Sequence, residues 1–569
     1  MNTGARRVDD ELVNVALVVV GTAFLVGLML RAAGNIAATL DGTPHPAAGV
    51  ASGFRVLARP GDPGSALAAP GLSPALYWAV VTGALTLVLA VVLVTWRVVG
   101  GIRHRIAHDP RRIVGTATRR DITPTASKRG LLRRGRALRP SLVNPAAEDV
   151  GYLLGTAHGQ QIWASVEDSI LVVGPPRSGK GLHLVINAIL DAPGAVVTTS
   201  TRPDNITATI NARRERGPVA VFDPQRLAGE LDLPSGLRWS PIRGCEDPLT
   251  AMIRAGGLAS STGLSSGGVE SGGFWEGKTR AALQALLHAA AIEGLTTRAL
   301  FEWSLSPSAA ADAVGILASN PSAATGWGDS LESMINSDPR TRDSIWMAVA
   351  QALSCLADPR VLDAVNPGPD EAFDPTEFLT NNGTLYLLAT GAGAGASWSL
   401  VAAFIEDLAE TARHLAAASP GARLDPPLLL ALDEIGNLSP LPSLPVLMAE
   451  GGGTGITTMP VLQSLSQARH RWSDHAASAI WDASIVKVIL GGGSASRDLQ
   501  ELSVLIGERD EHTDTISVGD YGSRSLQRST RRVPIMPPER IRTLPFGTGL
   551  VLLRSAPPIV AELRPWTRR

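Results

Sequence analysis

The sequence is poor in cysteine, lysine and aromatic residues, and it carries almost no net charge. Its two cysteines, Cys245 and Cys355, lie far apart, which excludes a disulfide framework and a cysteine-rich metal site; we expect both to be buried and unreactive. A formal net charge of -1 over 569 residues excludes a chain that is basic throughout, so any nucleic-acid contact must be local. Aromatic residues make up only 4%, so phosphate contacts should then outweigh base stacking.

Two long apolar runs without charged residues lie near the N-terminus, at 12–30 and 75–96. Each is close to the ~20 residues that a helix needs to cross a bilayer. A cleaved signal peptide is the alternative for the first run, but a convincing cleavage site is missing and a second run follows. We therefore predict a membrane anchor over residues 1–102, with two transmembrane helices.

The residues after the second run are strongly basic. Segment 103–139 holds twelve arginines and lysines against two aspartates, whereas the loop at 31–74 carries little charge. Because positive residues stay on the cytoplasmic side, we predict that both termini lie in the cytoplasm and that the loop faces outward. The protein would thus be a multi-pass protein of the cell (inner or plasma) membrane, with a basic cytoplasmic linker at 103–149.

From residue 150 onward, short apolar runs alternate with helical stretches, which predicts an α/β fold with a mainly parallel sheet covered on both faces. The predicted strands are 169–174, 195–200, 218–223, 384–390, 426–434, 457–464, 485–492, 548–554 and 558–564. The stretch 275–365 has no comparable run and reads as helical. We predict an α/β domain formed by 150–274 and 366–569, with an all-α domain inserted at 275–365.

The run LVVGPPRSGKGL (171–182) contains the spacing of a phosphate-binding loop, G-x-x-x-x-G-K-[ST]. An apolar strand precedes it and a helical stretch follows, as such a loop requires; a glycine turn without a ligand is the alternative. The predicted nucleotide-binding residues are Gly174, Pro175, Pro176, Arg177, Ser178, Gly179, Lys180 and Gly181. Gly181 replaces the usual Ser or Thr and removes one ligand of Mg²⁺, which a water molecule can replace. The chain has only four lysines, and one of them is Lys180.

An acidic pair follows the apolar strand in LLLALDEIGNL (428–438). An acid at a strand end can hold a metal, and its neighbour can polarise the attacking water. We assign Asp433 to Mg²⁺ and Glu434 to the catalytic base. Gln463 ends the next predicted strand, where an amide can contact a γ-phosphate or the attacking water. An acidic pair that opens a loop, and a polar residue at a strand end, are the alternatives.

The segments GPPRSGKG (174–181), VVTTSTRPDNITATINARRERGPVAVFDP (196–224), LDEIGNL (432–438) and GITTMPVLQSLSQARHRW (455–472) together resemble the TraG/TraD-type coupling proteins of conjugation and type IV secretion. In that family the loop commonly reads GKG. The composition, rich in Arg, Ala and Gly, suggests an actinobacterial subgroup. The resemblance implies a membrane-anchored homo-hexameric ATPase with a RecA/FtsK-like core that uses ATP and Mg²⁺. Its expected partners are single-stranded DNA with a relaxase, and the proteins of the type IV secretion channel.

One residue of such ring motors is missing from its expected place. An arginine of the neighbouring subunit usually stabilises the transition state, but the stretch 436–462 contains no arginine. Arg469, Arg471 and Arg497 are the substitutes, and Arg497 is favoured.

Three classes of function remain open. The first is an ATP-driven translocase for single-stranded DNA with attached protein. The second is a nucleotide-binding docking receptor for secreted substrates with little turnover, which Gly181 and the missing arginine favour. The third, a P-loop kinase or ABC-type transporter subunit, is disfavoured by the helical insertion and the absence of an LSGGQ signature.

Overall fold

The structure is a computed structural model. It describes residues 4–47, 49, 51–108, 110–229, 236–260, 262–264, 272–368, 371, 373–389, 397–438, 441–518 and 524–569. The chain divides into two compact units, Met1–Asp109 and Pro110–Arg569, which are treated separately below.

The first unit is helical in its described residues: α1 (Gly4–Asp41), α2 (Ser52–Ala58), α3 (Pro63–Leu67) and α4 (Pro74–His108). The segments Val20–Asp41 and Pro74–Arg97 are long and apolar enough to cross a membrane, with mean hydropathies of 1.6 and 2.4. They overlap the two predicted spans. By length and composition, therefore, the unit has two candidate membrane helices.

The segment between α1 and α4 folds against their adjoining ends. The hydroxyl of Tyr77 in α4 donates a hydrogen bond to the carbonyl oxygen of Leu30 in α1, at 3.0 Å. Val56 and Leu67, from α2 and α3, are buried in the same small core. Gly53 lies so close to α1 that a Cβ there would come within 2.3 Å of a backbone oxygen of that helix. This folded segment, residues 42–73, ties the two long helices together.

The second unit is built on a large sheet. Its strands are β1 (Gly151–Ala157), β2 (Gln160–Ser165), β3 (Ile170–Val173), β4 (Val196–Ser200), β5 (Val219–Phe222), β6 (Thr384–Leu388), β7 (Leu428–Leu432), β8 (Ile456–Leu462), β9 (Val486–Leu490), β12 (Thr548–Leu553) and β13 (Ile559–Glu562), with a separate hairpin of β10 (Glu508–Val518) and β11 (Arg524–Pro534). The sheet order is β2-β1-β13-β12-β9-β3-β8-β7-β4-β6-β5.

The half of the sheet from β9 to β5 is parallel, as the apolar runs predict. The other half, from β9 through β12 and β13 to β1 and β2, is antiparallel. The predicted runs at 548–554 and 558–564 are therefore strands, but they do not belong to the parallel part. A short turn joins them, and two strands joined in this way pair antiparallel.

Helices cover the sheet on both faces. They are α5 (Arg119–Thr125), α6 (Lys128–Leu132), α7 (Gly135–Leu138), α8 (Ala147–Val150), α9 (Ile186–Asp191), α10 (Asp204–Arg214), α11 (Pro248–Ser260), α12 (Gly272–Ile292), α13 (Thr297–Leu305), α14 (Ala311–Ser319), α15 (Trp327–Ile335), α16 (Pro339–Ala352), α17 (Pro359–Ala364), α18 (Pro375–Thr380), α19 (Trp398–Ala418), α20 (Leu444–Glu450), α21 (Leu465–Trp472), α22 (Asp474–Ala483), α23 (Ser496–Ile506) and α24 (Pro538–Arg542). Strand β3 has both of its faces buried. Leu171 and Val173 belong to one hydrophobic core, and Ile170 and Val172 belong to the other.

Part of the predicted basic linker is folded, and the helical region between β5 and β6 packs on the sheet. The second half of the predicted basic linker folds into α5 to α8, whose apolar residues Ile122, Leu131 and Leu138 are buried against the sheet. Between β5 and β6 the regular structure of the described residues is helical, from α11 to α18. These helices share one continuous core with a face of the sheet. That 275–365 forms a domain of its own stays a prediction.

Candidate nucleotide-binding site

The loop 174–181 leaves β3 at its carboxyl end and enters a π-helical turn (Gly181–Val185) that continues as α9. The backbone N–H of Gly174 donates to the carbonyl oxygen of Leu462 in β8, at 3.0 Å, which fixes the start of the loop. Gly179 has a φ of +89°, a left-handed conformation that glycine adopts without strain. The loop is thus anchored to the neighbouring strand before it turns back over the sheet edge.

The side chain of Lys180 closes the loop on itself. Its Nζ donates to the carbonyl oxygens of Gly174 and Pro175, at 2.7 and 2.9 Å. The Oγ of Ser178 is buried and has no hydrogen-bond partner among the described residues. The ammonium of Lys180 thus donates to two neutral carbonyl oxygens, and the Ser178 hydroxyl of the same loop has no partner among the described residues. An anion would offer both groups a charged acceptor, which forms a stronger hydrogen bond than a carbonyl oxygen does.

Asp433 and Glu434 follow β7, two strands away from β3 in the sheet. The hydroxyl of Thr201 donates to a carboxylate oxygen of Glu434. The amide of Asn205 donates to Asp433 Oδ2 at 3.4 Å. Glu434 adopts a φ of +53°, which turns the chain sharply at the end of the strand. Both acids are therefore positioned by the segment that follows β4.

The lysine and the acids lie within electrostatic reach of one another. Burial lowers the pKa of Lys180, and the charges of Asp433 and Glu434 oppose this shift. Burial, and then the charge of Glu434, raise the pKa of Asp433 to about 6, and Lys180 opposes that shift. Such mutual effects require the groups to be within Coulombic reach. The loop and the acidic pair thus meet at one edge of the sheet.

Gln463 directly follows β8, the strand between β3 and β7. Its backbone N–H donates to Oε1 of Gln467 at 2.9 Å, and Nε2 of Gln467 donates to Oδ1 of Asn437 at 2.6 Å. Gln467 therefore connects the end of β8 to the turn that carries the acidic pair. By strand order, Gln463 lies between the loop and the acids.

Arg497 does not join this cluster within the chain. It lies in the first turn of α23, its side chain is 70% exposed, and its Nε donates to Glu501 Oε1 at 2.8 Å. Arg469 is instead held between helices, with its guanidinium bound to Asp498 and Glu501 at 2.7 and 2.6 Å. Of the substitutes for the missing arginine, Arg469 is thus held by two carboxylates between helices, whereas Arg497 lies exposed at the surface.

The sequence motifs identify Lys180, Asp433, Glu434 and Gln463 but not the residues that position them. Thr201, Asn205 and Gln467 lie in the segments 196–224 and 455–472 that carry the resemblance, but the motifs give them no role. A signal was available for the first two, because polar residues follow the buried strand β4 in STRPDN (200–205), at the edge where parallel strands all end.

The acidic pair suits a metal ion that is coordinated partly by the protein and partly by a bound ligand. Among the described residues, no group of three or more His, Cys, Asp or Glu side chains could hold a metal by itself. Mg²⁺ commonly uses one or two carboxylates together with phosphate oxygens and water. Asp433 and Glu434 match that requirement.

Comparison with known proteins supports the resemblance. Residues 427–546, which include the acidic pair and Gln463, match the family model described as the TraM recognition site of TraD and TraG. No curated protein sequence shows a significant match.

Solved structures of TrwB share the fold. The bacterial conjugative coupling protein TrwB in an unbound form superposes with a TM-score of 0.53 at 18% identity, covering 77% of this chain and 92% of that one. TrwB complexes with a non-hydrolysable ATP analogue and with ADP and Mg²⁺ match with a TM-score of 0.52 at 18% identity, and each covers 77% of this chain and 93% of TrwB. The chain thus shares its fold with TrwB, and its residues 427–546 match a family model of TraD and TraG.

Proposed function

We propose that residues 174–181 bind the triphosphate of ATP, and that the chain is an ATPase of a coupling protein. One observation carries the proposal: Lys180 and the acids Asp433 and Glu434 follow strands β3 and β7, whose carboxyl ends lie at the same edge of the sheet with β8 between them. The carbonyl-bound ammonium and the buried Ser178 hydroxyl supply donors for phosphate oxygens. The complexes of TrwB with an ATP analogue and with ADP and Mg²⁺ support it.

Each side chain has a role in this chemistry. Lys180 binds the β- and γ-phosphates, and Asp433 holds Mg²⁺. Glu434, held by Thr201, accepts the proton of the attacking water, while Gln463 orients that water or the γ-phosphate. Bound Mg²⁺ supplies neutralisation of the charge that develops on the phosphate oxygens.

At the level of the cell we propose a membrane-anchored coupling protein. It recruits single-stranded DNA bound to a relaxase, or an effector protein, and drives it into a type IV secretion or conjugation channel. Its two candidate membrane helices, the family match over 427–546 and the TrwB fold support this function. A homo-hexamer, in which Arg497 reaches the site of the neighbouring subunit, completes the proposal.

A docking receptor with little turnover is the second candidate. The absence of arginine from 436–462 and the pairing of Arg497 with Glu501 favour it, since both leave the site of a single chain without a residue that stabilises the transition state.

ATP hydrolysis by the full-length protein in lipid nanodiscs, with and without single-stranded DNA, tests the proposal. We expect DNA to stimulate turnover. Lys180→Ala should lower turnover at least about 100-fold by removing a donor to the transferred phosphate. Glu434→Gln should abolish turnover but keep ATP binding.

Lys128→Ala is the matched control, because Lys128 is half exposed and pairs only with Glu148 at 3.8 Å. It should behave as wild type. ATP binding with negligible turnover in wild type would favour the docking receptor. Undiminished turnover in Lys180→Ala would refute the nucleotide site.

A further inference from the structure

An aromatic ring lies exposed against the phosphate-binding loop. Phe546, in the turn before β12, is 67% exposed, whereas Leu544 and Thr548 on either side of it are buried. A Cβ added to Gly179 would lie 3.0 Å from Cε2 of the Phe546 ring. Phe546 therefore borders the loop directly, with much of its apolar surface open to solvent.

The ring rests on a buried histidine of the helix that follows the loop. His183 and Phe546 pack edge to face, with ring centroids 5.2 Å apart and an angle of 64° between the planes. Burial lowers the pKa of His183, which favours the neutral form of its ring. The histidine supports Phe546 without adding a charge.

The sheet order places Phe546 on the opposite side of the loop from the acids. Strand β12 runs antiparallel to β9, and β9 runs parallel to β3. The start of β12 therefore meets the edge at which β3 ends. In the order β12-β9-β3-β8-β7, Phe546 lies two strands to one side of β3, and Asp433 with Glu434 lies two strands to the other.

We propose that Phe546 is the stacking platform for the base of the bound nucleotide. This inference rests on the proposed nucleotide site. If the terminal phosphate lies toward Asp433 and Glu434, the nucleoside end points the other way, to the side where Phe546 is exposed. A phenyl ring offers a π-face and no hydrogen bonds, so it stacks on any base. The site should therefore bind ATP and GTP with similar affinity.

Binding measurements on the full-length protein in nanodiscs test the platform. The probes are ATP, GTP and inorganic tripolyphosphate, which has the phosphates but no base. Phe546→Ala should weaken binding of both nucleotides about tenfold, the size of a lost base–aromatic stack, and leave tripolyphosphate binding unchanged. Phe546→Tyr should bind as wild type. Phe274→Ala removes another exposed phenylalanine and serves as the matched control.

The outcomes separate this inference from the proposed function. Equal ATP binding by wild type and Phe546→Ala would overturn the platform, and so would an equal loss of tripolyphosphate binding, because the ring would then support the loop and not a base. If the wild-type protein bound none of the three probes, the nucleotide site itself would be refuted and the platform with it.

Discussion

Two glycines of the loop 174–181, two residues apart, have very different surroundings. A Cβ at Gly181 meets no atom within 4 Å, whereas one at Gly179 would approach His183 to 2.8 Å and Phe546 to 3.0 Å. Gly179 also has a positive φ. The loop therefore has space for a side chain at the position of the missing Ser or Thr, and none at the glycine before the lysine.

Gly181→Thr should consequently keep ATP affinity within about threefold of wild type, since its hydroxyl fits open space and adds a possible Mg²⁺ ligand. Gly179→Ala should weaken ATP binding at least about tenfold, because it strains the backbone and displaces the two rings. Isothermal titration with ATP and Mg²⁺ measures both. Loss of binding in Gly181→Thr would contradict the geometry of the loop.

The raised pKa of Asp433 predicts a dependence of stability on pH. The folded protein favours the neutral carboxyl, which titrates at about 6 against a usual value of 3.8. The stabilisation is fully present below pH 4 and is lost as pH rises to about 6. Asp433→Asn should thus gain stability over wild type across this range, by up to about 3 kcal/mol at pH 7.

Thermal unfolding without nucleotide or metal, from pH 4 to 8, measures this difference. Asp343→Asn, at an exposed aspartate, is the control and should show no such trend. A difference between Asp433→Asn and wild type that stays constant over the range would contradict a raised pKa of Asp433 in the folded protein.

At the scale of elements, two arginines near α23 should behave differently. Arg469 is 18% exposed and binds Asp498, whose carboxylate also accepts from the backbone N–H groups of Leu465 and Ser466 at the start of α21. Arg469→Ala leaves Asp498 buried without its cation, at a cost of about 3 kcal/mol.

Arg497→Ala removes only an exposed ion pair, so stability should change by less than about 1 kcal/mol. If Arg497 serves the neighbouring subunit, turnover should fall strongly in the assembled protein. Denaturant unfolding and ATPase rates, measured on the same preparations, distinguish the two variants. A clear loss of stability in Arg497→Ala would contradict the exposed position of this side chain.

The strands that could be predicted from the sequence are those whose two faces are both buried. Strands β3 and β7 are wholly apolar, and β8 and β9 are largely so, because both faces of these strands are covered. Strands β1 and β2 contain Gly, Thr and Gln and lie at the sheet edge, so they carry no such run. The hairpin β10–β11 is mostly charged and polar and shows no apolar periodicity.

The same reasoning explains what could be predicted of the site. Lys180 and the acidic pair lie at the ends of predicted parallel strands, and parallel strands end at one edge. Gln467 and Phe546 reach the site through a helix face and a turn before an antiparallel strand. Their positions depend on the sheet order, which no local spacing encodes.

Cysteine labelling of the whole chain can test its membrane orientation directly, because its own two thiols should not react. Cys245 and Cys355 are free and buried, and burial raises their pKa values to about 12 and 11. A single introduced cysteine is then the reactive one. Gly61→Cys, in the segment between the membrane helices, should react with an impermeant maleimide in intact cells.

Val143→Cys, at an exposed position of the second unit, should react only after the cells are opened. The physical reason is the basic segment after the second apolar run, because positive residues flanking a membrane helix favour the cytoplasmic side. The reverse pattern of labelling would contradict the predicted orientation.

The length of the two long helices has a consequence for the membrane itself. Helix α1 has 38 residues and α4 has 35, which at about 1.5 Å per residue gives rods of roughly 57 and 52 Å. A hydrocarbon layer is only about 30 Å thick, so in the proposed membrane anchor each rod would extend well past it. Tyr77 joins the two rods at the end where residues 42–73 fold, so they should tilt in the bilayer as one rigid body.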